Sequence, residues 1–218
     1  MYFADSFTAE FVLAVAHVPT PFAPSGNFWS MTIRNDVYKI IIPEPESLPV
    51  EMSNVGYGAR FSATLLRTDL SLSVYHGPDR EPVLVPDSPE FPPNEPLSII
   101  IDPQYRLVTS VGMDISKSIG DFTFNFESAY TPNKYGFVNQ DLSNLADLYF
   151  PFEVRKSEHI AYAGGFNYFI PIRSLFESHT GDAVFTADWY QSHYFDDNLY
   201  GAYLTDLLTF RLQDSFMD

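Results

Sequence analysis

Five histidines, His17, His76, His159, His179 and His193, are the side chains with the widest chemical repertoire in this chain. A zinc-type centre needs several of them to converge, with carboxylates behind them. They are instead scattered over the whole length, at the ends of extended segments or in loops. Two local pairings, Ser157-Glu158-His159 and Ser192-His193, bring a hydroxyl near an imidazole. Adjacent residues of a strand point to opposite faces, so neither adjacent pair can hydrogen-bond as a nucleophile and its base. The chain has no His-Glu-x-x-His, no Gly-x-Ser-x-Gly, no Walker loop and no Gly-x-Gly-x-x-Gly. Gly56-Tyr57-Gly58 comes close to the last of these, but it sits inside a strand pattern without the third glycine. Glycines in such a place relieve crowding or bend a sheet. Asp196-Asp197 offers oxygens to calcium, though an acidic loop is more often simply solvated. The expectation is a protein that is not an enzyme, with no cofactor and no metal.

A different chemistry runs through the extended segments. Glu10, Arg60, Asp114, Asn125, Glu127 and His159 project to one side of the strands that carry them. Phe61, Leu72, Val111, Met113, Phe122, Phe124 and Phe126 project to the other. The first set suits water in a lumen, where charges set the preference for permeating ions. It would equally serve to pair strands and stiffen a wall. The second set suits contact with acyl chains.

Composition narrows the setting. Of 218 residues, 12 are Lys or Arg and 28 are Asp or Glu, a formal charge of −16. That sign argues against nucleic acid as a partner, because phosphates demand a basic surplus. The absence of Cys excludes a disulfide framework or a thiolate centre. Aromatic residues make up 17% of the chain, too many for a disordered acidic tail. No stretch approaches the roughly 18 apolar residues of a membrane helix. The longest plain apolar runs, Ile40 to Ile42 and Ile99 to Ile101, are short.

Period-two alternation dominates. It predicts about eight strands: Phe7–His17, Val55–Leu66, Asp69–His76, Tyr105–Lys117, Phe122–Thr131, His159–Tyr168, Ala183–His193 and Tyr203–Gln213. Pairing Leu66 with Asp69 across Arg67-Thr68 sets Phe61 opposite Val74. Pairing Lys117 with Gly120 across Ser118-Ile119 sets Ile115 opposite Phe122 and Asp114 opposite Thr123. A longer turn, Ser118–Asp121, is an alternative. Both pairings keep apolar side chains facing apolar ones. The connections alternate in length. The turns after Leu66 and Lys117 are tight, whereas Val18–Asn54, Gly77–Gln104 and Pro132–Ser157 are long. In a meander every second connection lies on the same rim, so one rim carries short turns and the other long loops.

That asymmetry is the pattern of outer-membrane β-barrels. The fold class expected is therefore all-β: an antiparallel up-and-down meander of about eight strands, forming part of a transmembrane β-barrel. Tyr57, Tyr105 and Tyr130 fall at the long-loop ends and Tyr168 near the other end, as interfacial girdles require. A soluble ligand-binding β-barrel or sandwich also alternates its faces. It would have to cover Phe122, Phe124 and Phe126, and no other segment offers an obvious covering layer.

Several pieces taken in order carry a resemblance. They are Val12–Phe22 with the Pro-rich stretch after it, Val55-Gly56-Tyr57-Gly58-Ala59-Arg60-Phe61-Ser62, Asp69 through Gly77, Val111-Gly112-Met113-Asp114, and Gly120-Asp121-Phe122 through Tyr130. Together they resemble porin-like outer-membrane β-barrel proteins of Gram-negative bacteria, over most of Phe7–Tyr168. The resemblance implies residence in that membrane and passive diffusion of small hydrophilic solutes through a polar lumen. The implied partners are outer-membrane lipid and those solutes, with homo-oligomerisation left open. A partner-binding or purely structural barrel without conductance is the rival. The start, Met1-Tyr2-Phe3-Ala4-Asp5, is unlike a secretory signal. The end, Ser215-Phe216-Met217-Asp218, lacks the aromatic that closes such barrels. The expectation is that residues 1–218 are a single β-barrel segment cut from a larger barrel.

Overall fold

The computed structural model describes residues 6–17, 38–41, 43, 46–90, 97–140, 152–170, 183–199 and 207–214. Eleven strands account for most of them: β1 (Ser6–Ala14), β2 (Tyr38–Ile41), β3 (Gly56–Leu65), β4 (Thr68–Pro78), β5 (Val83–Glu90), β6 (Leu97–Gln104), β7 (Leu107–Ile119), β8 (Phe122–Phe137), β9 (Val154–Ile170), β10 (Ala183–Tyr194) and β11 (Leu207–Asp214). One 3-10 turn, Met52–Asn54, is the only helical element among the described residues. No helix there is long and apolar enough to cross a membrane, which has no bearing on crossing by strands.

Eight strands form one antiparallel sheet in the order β1-β3-β4-β7-β8-β9-β10-β11. It is a meander, as the alternation predicts, but it is not closed. Among the described residues β1 pairs only with β3, and β11 only with β10. All eight expected strands are present, with ends shifted by a few residues. A second sheet, β2-β6-β5, lies in the long connections and was not expected. Its β2 and β6 run parallel, with Ile40 opposite Ile99. Ile40, Ile41 and Ile99 thus lie in strands in their own right, Ile42 being outside the described residues.

Register shows how the alternation becomes two faces. One line of partners runs Phe7, Ala63, Leu70, Ile115, Phe126, Gly164, Trp189, Leu208 across all eight strands. The neighbouring line, one residue along each strand, runs Ser6, Thr64, Asp69, Ser116, Asn125, Gly165, Asp188, Thr209. Mostly apolar and mostly polar lines therefore alternate, with Ser128, Gln191 and Lys117 among the polar residues on apolar lines.

Both hairpin registers differ from expectation. The first turn is Leu66-Arg67, with Leu65 opposite Thr68 and Phe61 opposite Leu72, a shift of two residues. The second is Gly120-Asp121, with Ile119 opposite Phe122, Ile115 opposite Phe126 and Asp114 opposite Glu127, a shift of four. The physical reason is common to both. An even shift leaves every side chain on its own face, so polarity alone cannot choose among such registers. Turn geometry chooses. Leu66 and Arg67 both have positive φ, 51° and 60°, the pattern of a type I′ turn that matches strand twist. Gly120, at φ 60°, takes the first position of the other loop, where a type II′ turn places glycine. The short-turn rim is also less uniform than expected. Residues 171–182, outside those described, join β9 to β10 on that same rim.

Tightly buried apolar residues are few and lie away from the middle of the large sheet. Val85, Val108, Phe152 and Leu199 are buried toward the long-loop rim, and Ala183 at the other. The Phe152 amide bonds to the Pro86 carbonyl at 3.1 Å, and the Phe152 ring packs on Phe137 at 5.7 Å. Among the described residues no layer covers the apolar face of the large sheet. Phe122, Phe124 and Phe126 remain 39%, 47% and 37% exposed.

Candidate functional site: the polar face of the sheet

The polar residues singled out from sequence share one face. Glu10 lies opposite Arg60, Asp114 opposite Glu127, and Thr131 opposite His159. Asn125 accepts a hydrogen bond from the Ser116 hydroxyl at 2.8 Å. Arg60, on β3, reaches across β4 to β7. Its Nη2 lies 3.0 Å from Asp114 Oδ2, and its Nε donates to Ser71 Oγ at 3.1 Å. The buried Ser71 hydroxyl donates to the same Asp114 oxygen. Two carboxylates directly opposed, Asp114 and Glu127, repel each other. The guanidinium relieves that repulsion at Asp114.

Two adjoining depressions on this face share Asn125 and Glu127. One is lined also by Arg60, Asp69, Ser71 and Asp114, the other by Gly165, Asp188, Tyr190 and Thr209. Small residues keep the surface open. Asp188 leans over Gly165, where a Cβ would collide with its carboxylate. Tyr75 occupies space that three glycines leave free. A Cβ at Gly77 would stand 2.6 Å from the Gly56 Cα, and one at Gly58 would stand 2.8 Å from the Val74 carbonyl. The Gly56-Tyr57-Gly58 sequence is therefore a packing device for that ring.

His159 lies beneath the Tyr194 ring, centroids 4.6 Å apart, rather than projecting freely. Ser157, two residues from His159, shares its face, contrary to the opposite-face expectation, but its hydroxyl is engaged elsewhere: it accepts from the Asp196 amide at 3.0 Å and donates to the Glu158 carbonyl at 2.9 Å. His76 faces Thr109, with Nδ1 2.8 Å from its hydroxyl oxygen. His17 packs on Tyr105 at 4.2 Å. His193 packs on Phe195 at 5.3 Å, and His179 lies outside the described residues. Among the described residues no three His, Asp or Glu side chains gather as metal ligands. Asp196 is held below the usual carboxylate range by the Asn198 amide and side chain, with Arg155 adding to the effect.

The residues assigned to the opposite side, Phe61, Leu72, Val111, Met113, Phe122, Phe124 and Phe126, lie together there. Leu72 pairs with both Phe61 and Met113. Rings accumulate toward the short-turn rim. Phe122 stacks on Tyr168 at 4.4 Å, and Phe166, Phe185 and Phe210 continue the row at 5.9 and 6.3 Å. Lys117, opposite Phe124, brings a charge to this face near the same rim, and Lys156 and Glu158 do so at the other end of β9.

One group escaped sequence reasoning. Lys134 Nζ stands 2.7 Å from Asp79 Oδ2 and 3.2 Å from Glu81 Oε2. Nothing local marks it, because its partners lie more than fifty residues away. No family model, no curated protein and no solved structure matches the chain.

Proposed function

We propose that this sheet is part of the wall of a porin-like outer-membrane β-barrel, through which small hydrophilic solutes diffuse passively. One observation carries the reading: among the described residues the sheet presents a largely apolar face across eight strands, with no layer over Phe122, Phe124 and Phe126, backed by a largely polar face. In water that face would seek another protein layer. In a bilayer it needs none, because acyl chains cover it. Strands β7 to β10 have 12 to 17 residues, ample for a tilted crossing that takes about ten. The row of rings from Phe122 to Phe210 fits an interfacial girdle. Further strands complete the wall beside β1 and β11, whose outer edges have no partner among the described residues and would otherwise invite aggregation. Transport then needs no reacting group. Width excludes large solutes, and the charges around Asp114 and Glu127 bias the ions that pass.

The test is reconstitution of the full-length protein in planar bilayers. Conductance is expected, and replacing Asp114 and Glu127 together by Lys should move the reversal potential toward anion preference. Refolding from urea as a clear monomer without detergent would overturn the reading in favour of a soluble β-domain. Correct insertion without any conductance would favour the purely structural barrel.

A further inference from the structure

Past the β-bulge between Thr131 and Lys134, β8 continues with Lys134 opposite Ser157 and Gly136 opposite Arg155. Ser157 is two residues from His159, so it lies on the polar face, and its partner Lys134 lies there too. The chain leaving β4 stays beside β7 for one more residue and then brings two carboxylates to Lys134. The Asp79 amide bonds to the Arg106 carbonyl at 2.8 Å, just before β7. Asp79 and Glu81 then clasp Lys134 on β8, and Pro86 bonds to Phe152, just before β9. Residues 79–86 thus run along the long-loop rim, past Arg106, Lys134 on β8 and Phe152, and their last four residues begin β5, which pairs with β6. Val85, in this segment, is 1% exposed. The clasp is sheltered as well, with the Lys134 and Asp79 side chains only 14% and 15% exposed.

We infer that Lys134 latches residues 79–86 along the long-loop rim as a strap that narrows the mouth of the proposed pore. The narrowing rests on the pore reading, whereas the latch does not. A sheltered ion pair that loses one member leaves the other buried and uncompensated, so the segment lifts rather than tolerating the loss. Glu81 is the weaker hold, because its carboxylate is largely in water.

Two measurements on the full-length protein separate the parts. In Lys134→Met and Asp79→Asn, amide exchange across residues 79–86 should quicken by about tenfold or more while β3 and β4 keep their protection. Lys134→Arg should restore slow exchange. Single-channel conductance should rise in the first two variants and stay at the wild-type value in the third. Unchanged exchange in both disruptive variants overturns the latch. Faster exchange with unchanged conductance, in a protein that conducts, overturns the narrowing. Faster exchange in a protein that never conducts supports the latch and retires the pore reading.

Discussion

Arg60 and Asp114 stand 3.0 Å apart although a whole strand, β4, separates the strands that carry them. The bridge is possible because β4 presents serine there, and Ser71 joins both partners. Asp114 is thereby offset, while Glu127 opposite it has no ion-pair partner among the described residues. Arg60→Ala should leave two opposed carboxylates uncompensated and raise cation preference, read as a shifted reversal potential in a salt gradient. The stability loss should stay below about 1 kcal/mol, since both side chains are substantially exposed. No change in ion preference would remove this face from the conduction path.

Phe124 lies on the apolar face toward the short-turn rim, with Phe166 opposite it, ring centroids 6.2 Å apart. Phe124→Arg should cost roughly 2–4 kcal/mol if the position lies deep in a bilayer, and less near an interface. Unfolding in liposomes reads this cost. Asn125→Arg, one residue along and on the other face, should be far milder. Equal costs would contradict a lipid-facing role for Phe124.

Leu66 and Arg67 occupy the left-handed region without being Asn or Gly, and Leu66 is exposed. Replacing the pair by Asn-Gly should stabilise the β3–β4 hairpin by about 1 kcal/mol or more, because a type I′ turn requires positive φ at both positions. The denaturation midpoint is the measurement. A lower midpoint would mean that Leu66 makes a contact worth more than the strain.

The loop after β10 depends on a carboxylate. Asp196 accepts from the Asn198 amide at 3.0 Å and from its Nδ2 at 2.9 Å, and these bonds favour the charged form. A lowered folded pKa means the contribution is complete above the ordinary value of 3.8 and is lost as pH falls through the lower folded value. Protection of the Leu199 amide, which bonds to the Asp196 carbonyl, should therefore decline only in strong acid. In Asp196→Ala the protection should already be low at neutral pH. A decline near pH 6 in the wild type would point to another group.

Alternation in segments such as Phe122–Thr131 was enough to find the eight main strands and sort Glu127 from Phe126, because pleating ties position parity to face. It could not choose between Asp114 opposite Thr123 and Asp114 opposite Glu127. Those alternatives differ by an even shift, and the choice lies in backbone angles at Gly120. The Lys134 clasp was invisible for another reason, since its partners meet only after a bulge and a long loop have folded. The second sheet left a faint trace. Ile40 and Ile99 belong to the two short apolar runs, each too brief to be distinguished from ordinary loop content.

The parallel pairing of Ile40 with Ile99 carries a kinetic implication. Strand β2 precedes the β3–β4 hairpin in the chain, yet its only partner among the described residues comes after that hairpin. Closing so long an excursion costs chain entropy before any contact repays it. The neighbouring hairpins, being local, form first. Strand β2 must therefore wait for β6, and it joins the β5–β6 pair only after the local hairpins have formed.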